Sequence, residues 1–147
     1  MPRIQHQVFI DRAPIDVFTV TNSIDRWTEL FDAYTHSEIL VREDAGRFTK
    51  LVFRLRNREG FDWRSWRILD NVTLVSISER EYPLYPFAFM HLRWTYVPEG
   101  TGTLMTWTQD FELDPKFPTP VEEMRARMDE HGHHNQDRIK KYLEAAA

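Results

Sequence analysis

Residues 48–70 read FTKLVFRLRNREGFDWRSWRILD. Asn57-Arg58-Glu59-Gly60 is turn chemistry set between two runs rich in aromatic and aliphatic residues, the signature of a β-hairpin. In the first run, Phe48–Arg56, the alternate positions Thr49, Leu51, Phe53 and Leu55 share a face. In the second, Phe61–Asp70, one face carries Phe61, Trp63, Ser65 and Arg67, and the other Asp62, Arg64, Trp66 and Ile68. Neither face is cleanly apolar. The second has three charged or amphipathic members, so the first is read as inward. A serine and an arginine then stand in line with two large rings.

The same reading extends along the chain. Residues 3–11 alternate weakly as a strand. Ala13-Pro14-Ile15-Asp16 opens a short helix to about Asn22, with Asp11 or the turn after it as cap and proline in the first turn. Trp27, Leu30 and Phe31 mark a second short helix. Further strands are expected over Ser37–Arg42, Thr73–Arg80, Phe87–Val97 and Thr103–Leu113. A long helix runs from about Val121 to Leu143 after the prolines at 115, 118 and 120. Consecutive strands joined by tight turns give an antiparallel sheet of about seven strands. The long helix must bury its stripe, and a curved sheet wrapped around it does so. The expected class is α+β, with residues 1–147 as one domain.

Composition narrows the function. A net charge of −4 argues against a nucleic-acid groove. There is no cysteine, and no apolar run spans a bilayer. A cytoplasmic protein with no membrane partner is expected. Aromatic residues make up 14% of the chain, with five Trp, more than a core of this size needs. They suggest either an aromatic-lined pocket or a sticky surface.

Polar residues interrupt the inward faces elsewhere too. Ala88, Met90, Leu92, Trp94 and Tyr96 form one such face, and Thr103, Met105, Trp107, Gln109 and Phe111 another. The long helix's stripe is read through Val121, Met124, Met128, His131, Asn135, Ile139, Tyr142 and Leu143. An unpaired buried polar group costs ~1–3 kcal/mol. Arg67 costs more, because its charge persists. A wet pocket with aromatic walls accommodates all of these residues.

Four blocks of this sequence resemble bacterial aromatic polyketide aromatase/cyclases of the single-domain tetracenomycin and spore-pigment type. They are TNSIDRWTELF (Thr21–Phe31) followed by Tyr34, PFAFMHLRWTY (Pro86–Tyr96), MTWTQDF (Met105–Phe111) and RIKK (Arg138–Lys141). The resemblance implies a helix-grip fold of the START-like, Bet v1-like superfamily. It implies a poly-β-ketone substrate, phosphopantetheine-linked to an acyl carrier protein and supplied by a minimal polyketide synthase. The reaction would be aldol closure of the first ring, between C9 and C14 rather than C7 and C12, then dehydration. No cofactor and no metal are implied.

Carried over residue by residue, the resemblance assigns Arg67, Tyr34 and Ser65 to catalysis. Trp27, Phe61, Trp63, Met90, Trp94, Trp107, Gln109, Met128, His131 and Asn135 would contact substrate. Phe61 stands where several relatives have Trp, and His131 where they often have a hydroxyl. Arg67 would stabilise the oxyanion, Tyr34 would protonate the departing hydroxyl, and Ser65 would hold water or orient Arg67. Arg54, Arg56 and Arg58, or Lys140 and Lys141, are candidate docking cations for the acidic carrier. Two rivals are weighed. One is zinc on His131, His134 and Asp137, disfavoured because no further ligand cluster appears in the sequence. The other is a non-catalytic carrier of hydrophobic ligands, which would not need a buried charge.

Overall fold

A computed structural model describes residues 2–146. Strand β1 (Arg3–Ile10) leads into helix α1 (Pro14–Thr21), a 3-10 turn (Ile24–Arg26) and helix α2 (Trp27–Leu30). Six strands follow: β2 (Tyr34–Ala45), β3 (Phe48–Asn57), β4 (Asp62–Asp70), β5 (Val75–Arg80), β6 (Phe87–Glu99) and β7 (Gly102–Leu113). Helix α3 (Val121–Ala145) ends the chain. The sheet has seven strands in the order β1-β7-β6-β5-β4-β3-β2, every neighbouring pair antiparallel. The expected hairpin is present, with Leu51 opposite Arg67 and Phe53 opposite Ser65.

Of the two expected caps for helix α1, the turn after Asp11 provides it. Ala13 is the N-cap and Pro14 opens the helix, while Asp11 accepts a hydrogen bond from Thr101 Oγ1 at 2.9 Å. Strand β2 is longer than the apolar run suggested, because its outer half pairs with β3 despite being exposed. The turn before β5 takes two more residues, with Leu74 at a φ of 57°.

The main core lies between the sheet, α1, α2 and the C-terminal half of α3. It includes Val17, Phe18, Ile24, Leu30, Leu51, Phe53, Met105, Ile139 and Leu143. A second cluster at the other end joins Ile4, Phe87, Met90 and Phe111, with Met124 and Met128 of α3 packed against it. Between the two clusters, helix α3 crosses the sheet with few apolar side chains.

Candidate functional site

Strand β4 carries Arg67 inward at 1% exposure. Its Nε donates to Asn22 Oδ1 at 2.8 Å and one terminal nitrogen donates to Ser76 Oγ at 2.9 Å. These take two of the five guanidinium donors. The group lies 4.2 Å from the ring centre of Trp94 and 5.3 Å from that of Trp27. Among the described residues no carboxylate lies within ion-pair distance. Burial pushes its pKa down from the usual guanidinium value to about 10, so it stays charged at neutral pH.

Asn22 is fixed in turn. Its Nδ2 donates to Phe18 O at 2.8 Å and to Tyr96 Oη at 3.2 Å, while Tyr96 and Thr21 hydroxyls meet at 2.7 Å. Burial raises the Tyr96 phenol, and the nearby Arg67 charge partly offsets this. Helix α1 ends here, so its last residues deliver Thr21 and Asn22 to the interior. Asn22, Ser76 and Tyr96 orient the guanidinium; none was singled out as a site residue from sequence. Asn22 and Tyr96 do lie in the recognised blocks. Ser65 is buried two positions from Arg67, but the guanidinium's partners are Asn22 and Ser76. The expected orienting role therefore belongs to those two.

The aromatic residues form one stack. Trp94 lies on Trp107 at 4.3 Å and 11°, Trp27 on Trp94 at 5.8 Å, and Phe31 on Trp107 at 5.9 Å. Tyr34 stacks on Trp27 at 6.0 Å and meets Trp63 edge-on. Burial raises the Tyr34 phenol, opposed by the charges of Arg80 and Arg67. Arg80, opposite Ser65 in the sheet, is a second inward-facing cation, half-buried and absent from the sequence reading. It covers Trp63 at 4.1 Å and Phe87 at 5.1 Å, and burial lowers its pKa to about 10. The indole N–H groups of Trp94 and Trp107 are buried without an acceptor, as is the Asn135 Oδ1 without a donor. Such orphans are uncommon in interiors.

Several expected residues lie elsewhere. Phe61 is 64% exposed: Gly60 has a φ of 88°, and the Phe61 N–H donates to Asn57 Oδ1, so Phe61 belongs to the turn and not to the strand's inner face. His131 faces solvent. From Met128 the inward stripe of α3 advances by four, to Gly132 and the buried Gln136, before Ile139 and Leu143. Met128 packs in the second cluster beside Met90. Gln109 is half-buried and reaches Met90 Sδ at 3.0 Å. The expected open hollow also differs. One cleft of about 320 Å³ lies between β1 and the start of α3, and another of about 200 Å³ beside Trp63, Tyr82 and Pro83. Neither reaches Arg67, whose surroundings are closed by the stacked rings.

The candidate docking cations are engaged too. Arg56 chelates Asp62, Arg54 lies 3.9 Å from the same carboxylate, and Arg58 donates to Asp32 O. Lys140 binds Phe9 O and Glu144. Lys141 is exposed. No helix among the described residues is long and apolar enough to cross a membrane.

The arrangement suits a reaction that gathers negative charge on oxygen within an apolar, ring-walled space. A Streptomyces cyaneus protein named "Putative polyketide cyclase" is 38% identical over 112 residues, 72% of this chain and 70% of that one. The aromatase/cyclase Zhui of Streptomyces sp. R1128 superposes with a TM-score of 0.77 at 17% identity, over 97% of this chain and 93% of its own. A START superfamily protein of Mycobacterium smegmatis reaches 0.81 at 16% identity, over 99% of both chains. These two structures establish the START-like fold. The family model described as polyketide cyclase / dehydrase and lipid transport matches residues 1–144, and this chain belongs to that family.

Proposed function

We propose that this chain is an aromatase/cyclase, a single functional domain that closes and aromatises the first ring of a carrier-tethered poly-β-ketone. The observation that carries this reading is Arg67, a buried cation with neutral hydrogen-bond partners and indole faces around it. In the aldol step an enolised methylene carbon attacks a ketone carbon. The carbon–carbon bond forms, the ketone π-bond breaks, and its electrons collect on oxygen. The guanidinium's remaining donors stabilise that oxygen. The oxygen takes up a proton to give the hydroxyl. The hydroxyl then leaves as water once protonated, and loss of a ring hydrogen completes the double bond. Tyr34 supplies the proton for departure: burial keeps its phenol neutral, and two cationic side chains lie nearby. Ser65 holds a water or a substrate oxygen on the same face.

Trp27, Trp63, Trp94 and Trp107 restrict the fold of a chain that otherwise cyclises in many registers. Trp94 and Trp107 must part to admit it, and their unpartnered N–H groups then meet its carbonyls. Met90, Gln109 and Met128, grouped at the second cluster, and Asn135 on α3 would contact the substrate chain further from Arg67. Closure between C9 and C14 is the proposed outcome, with an acyl carrier protein and its minimal synthase as partners. The test is product profiling with a reconstituted minimal synthase. Arg67→Ala should return the undirected mixture of an enzyme-free reaction while the protein keeps its circular dichroism. A native product profile from that variant overturns the assignment. A second reading, a carrier of hydrophobic ligands, draws on the lipid-transport members of the family. Tight ligand binding with an unchanged product mixture from the native chain would favour it.

A further inference from the structure

On β1, at the edge of the sheet, His6 is 4% exposed. Its Nε2 lies 2.8 Å from Asp129 Oδ1 on α3. His133, one turn along α3, places its Nε2 3.9 Å from the same oxygen and its ring edge-on to His6, with centroids 4.3 Å apart. The ligand atoms of the three residues all lie within 4.8 Å of one another. Neither the proposed chemistry nor the core uses them.

We propose that His6, Asp129 and His133 bind a divalent transition-metal ion of the zinc class, clamping α3 to the edge strand β1. Two imidazoles and one carboxylate are zinc-type donors, and three protein ligands leave a position for water. Metal–ligand bonds of ~2.0–2.1 Å at tetrahedral angles put donor atoms ~3.3 Å apart. The distances of 2.8 and 3.9 Å bracket that value. The His133 side chain is 63% exposed and has room to swing inward, while His6 is held in place.

Two further observations point to a built site. Gly132 lies inside a 25-residue helix, where glycine costs ~1 kcal/mol relative to alanine. A Cβ there would come 2.1 Å from the His6 ring, so the missing side chain is what seats His6 against the helix. Asp129 also lines the 320 Å³ cleft and its side chain is half exposed, so the carboxylate is reachable from solvent. Its two arginines are already neutralised, Arg3 by Asp110 at 2.7 Å and, more loosely, Arg125 by Glu122 at 3.8 Å. This site departs from the expectation of no metal. It is also not the His131, His134 and Asp137 set considered from sequence. His131 faces solvent, and His134 is bound to Asp32 at 2.7 Å.

The experiment is titration of the chelator-treated full chain with Zn²⁺ by calorimetry, with Co²⁺ as an absorption probe of geometry. One equivalent should bind, with a rise in Tm and visible bands of a low-coordinate cobalt centre. His133→Ala, at an exposed position, should weaken binding by ~10–100-fold. Asp129→Asn keeps a hydrogen-bonding group beside His6 and should weaken binding comparably. His131→Ala and His134→Ala should bind like the native chain. Absence of a stoichiometric site in the native chain overturns the proposal. So does unchanged affinity in His133→Ala, which would place the ion on other histidines.

Discussion

The arginines of the sheet's outer face and those of its interior are treated in opposite ways. Outside, Arg47 chelates Asp70, Arg56 chelates Asp62, and Arg64 faces Glu81 at 3.2 Å. Inside, Arg67 and Arg80 have aromatic faces, and Arg67 has neutral oxygens. Buried charges are normally paired, because desolvation makes an isolated one expensive. Here the pairing sits where water already screens it, and is missing where it would count. A carboxylate beside Arg67 would cancel the field that a developing oxyanion needs. Asn22 and Ser76 hold the cation in place without neutralising it.

The contrast can be broken by experiment. The largest effect is expected from Arg67→Ala, which should slow directed ring closure by at least ~100-fold, read as native product formed per unit time. Next comes the cost of keeping that charge inside. The fall of the Arg67 pKa to about 10 corresponds to ~3 kcal/mol against the charged form. Arg67→Met removes that penalty and loses two hydrogen bonds at ~1 kcal/mol each. Its Tm should therefore rise by ~2–4 °C while activity disappears. A clear fall in Tm would show that the charge stabilises the fold.

The third effect is a pH limb. The folded guanidinium gives up its proton more readily than the unfolded one. Its activity should hold through neutral pH and fall as pH climbs toward about 10. Tyr34, with its phenol raised, stays protonated over that range and should not cause an earlier loss. Product profiles between neutral and alkaline pH test this. The smallest effect belongs outside. Asp62→Asn removes the carboxylate between Arg54 and Arg56, yet exposed pairs contribute little, so Tm should move by no more than ~1–2 °C and the product profile should hold.

Much of this was legible in the chain. The 48–70 hairpin, the inward run through Ser65 and Arg67, and the long helix all follow from local spacing and turn chemistry. What escaped was set by non-local pairing. On β5 the buried residues are Ser76 and Ser78, while Val75 and Ile77 are only half-buried, so apolar alternation alone selects the wrong face. The partnership of Ser76 with Arg67 emerges only once β4 and β5 are in register. Arg80 was hidden for the same reason. A step of three along α3 from Met128 places His131 inward, whereas packing against β1 takes a step of four to Gly132. Phe61 was assigned to a strand that begins one residue later, because the turn claims its amide.

The indole stack has a practical consequence. Trp27, Trp94 and Trp107 share one shielded volume, with a fixed positive charge against two of them. Excitation energy migrates readily among rings so close, and their emission colour responds to the local electric field. The protein thus carries an optical gauge at its centre. A guest that separates those rings should change both brightness and hue, so occupancy can be followed without attaching any dye.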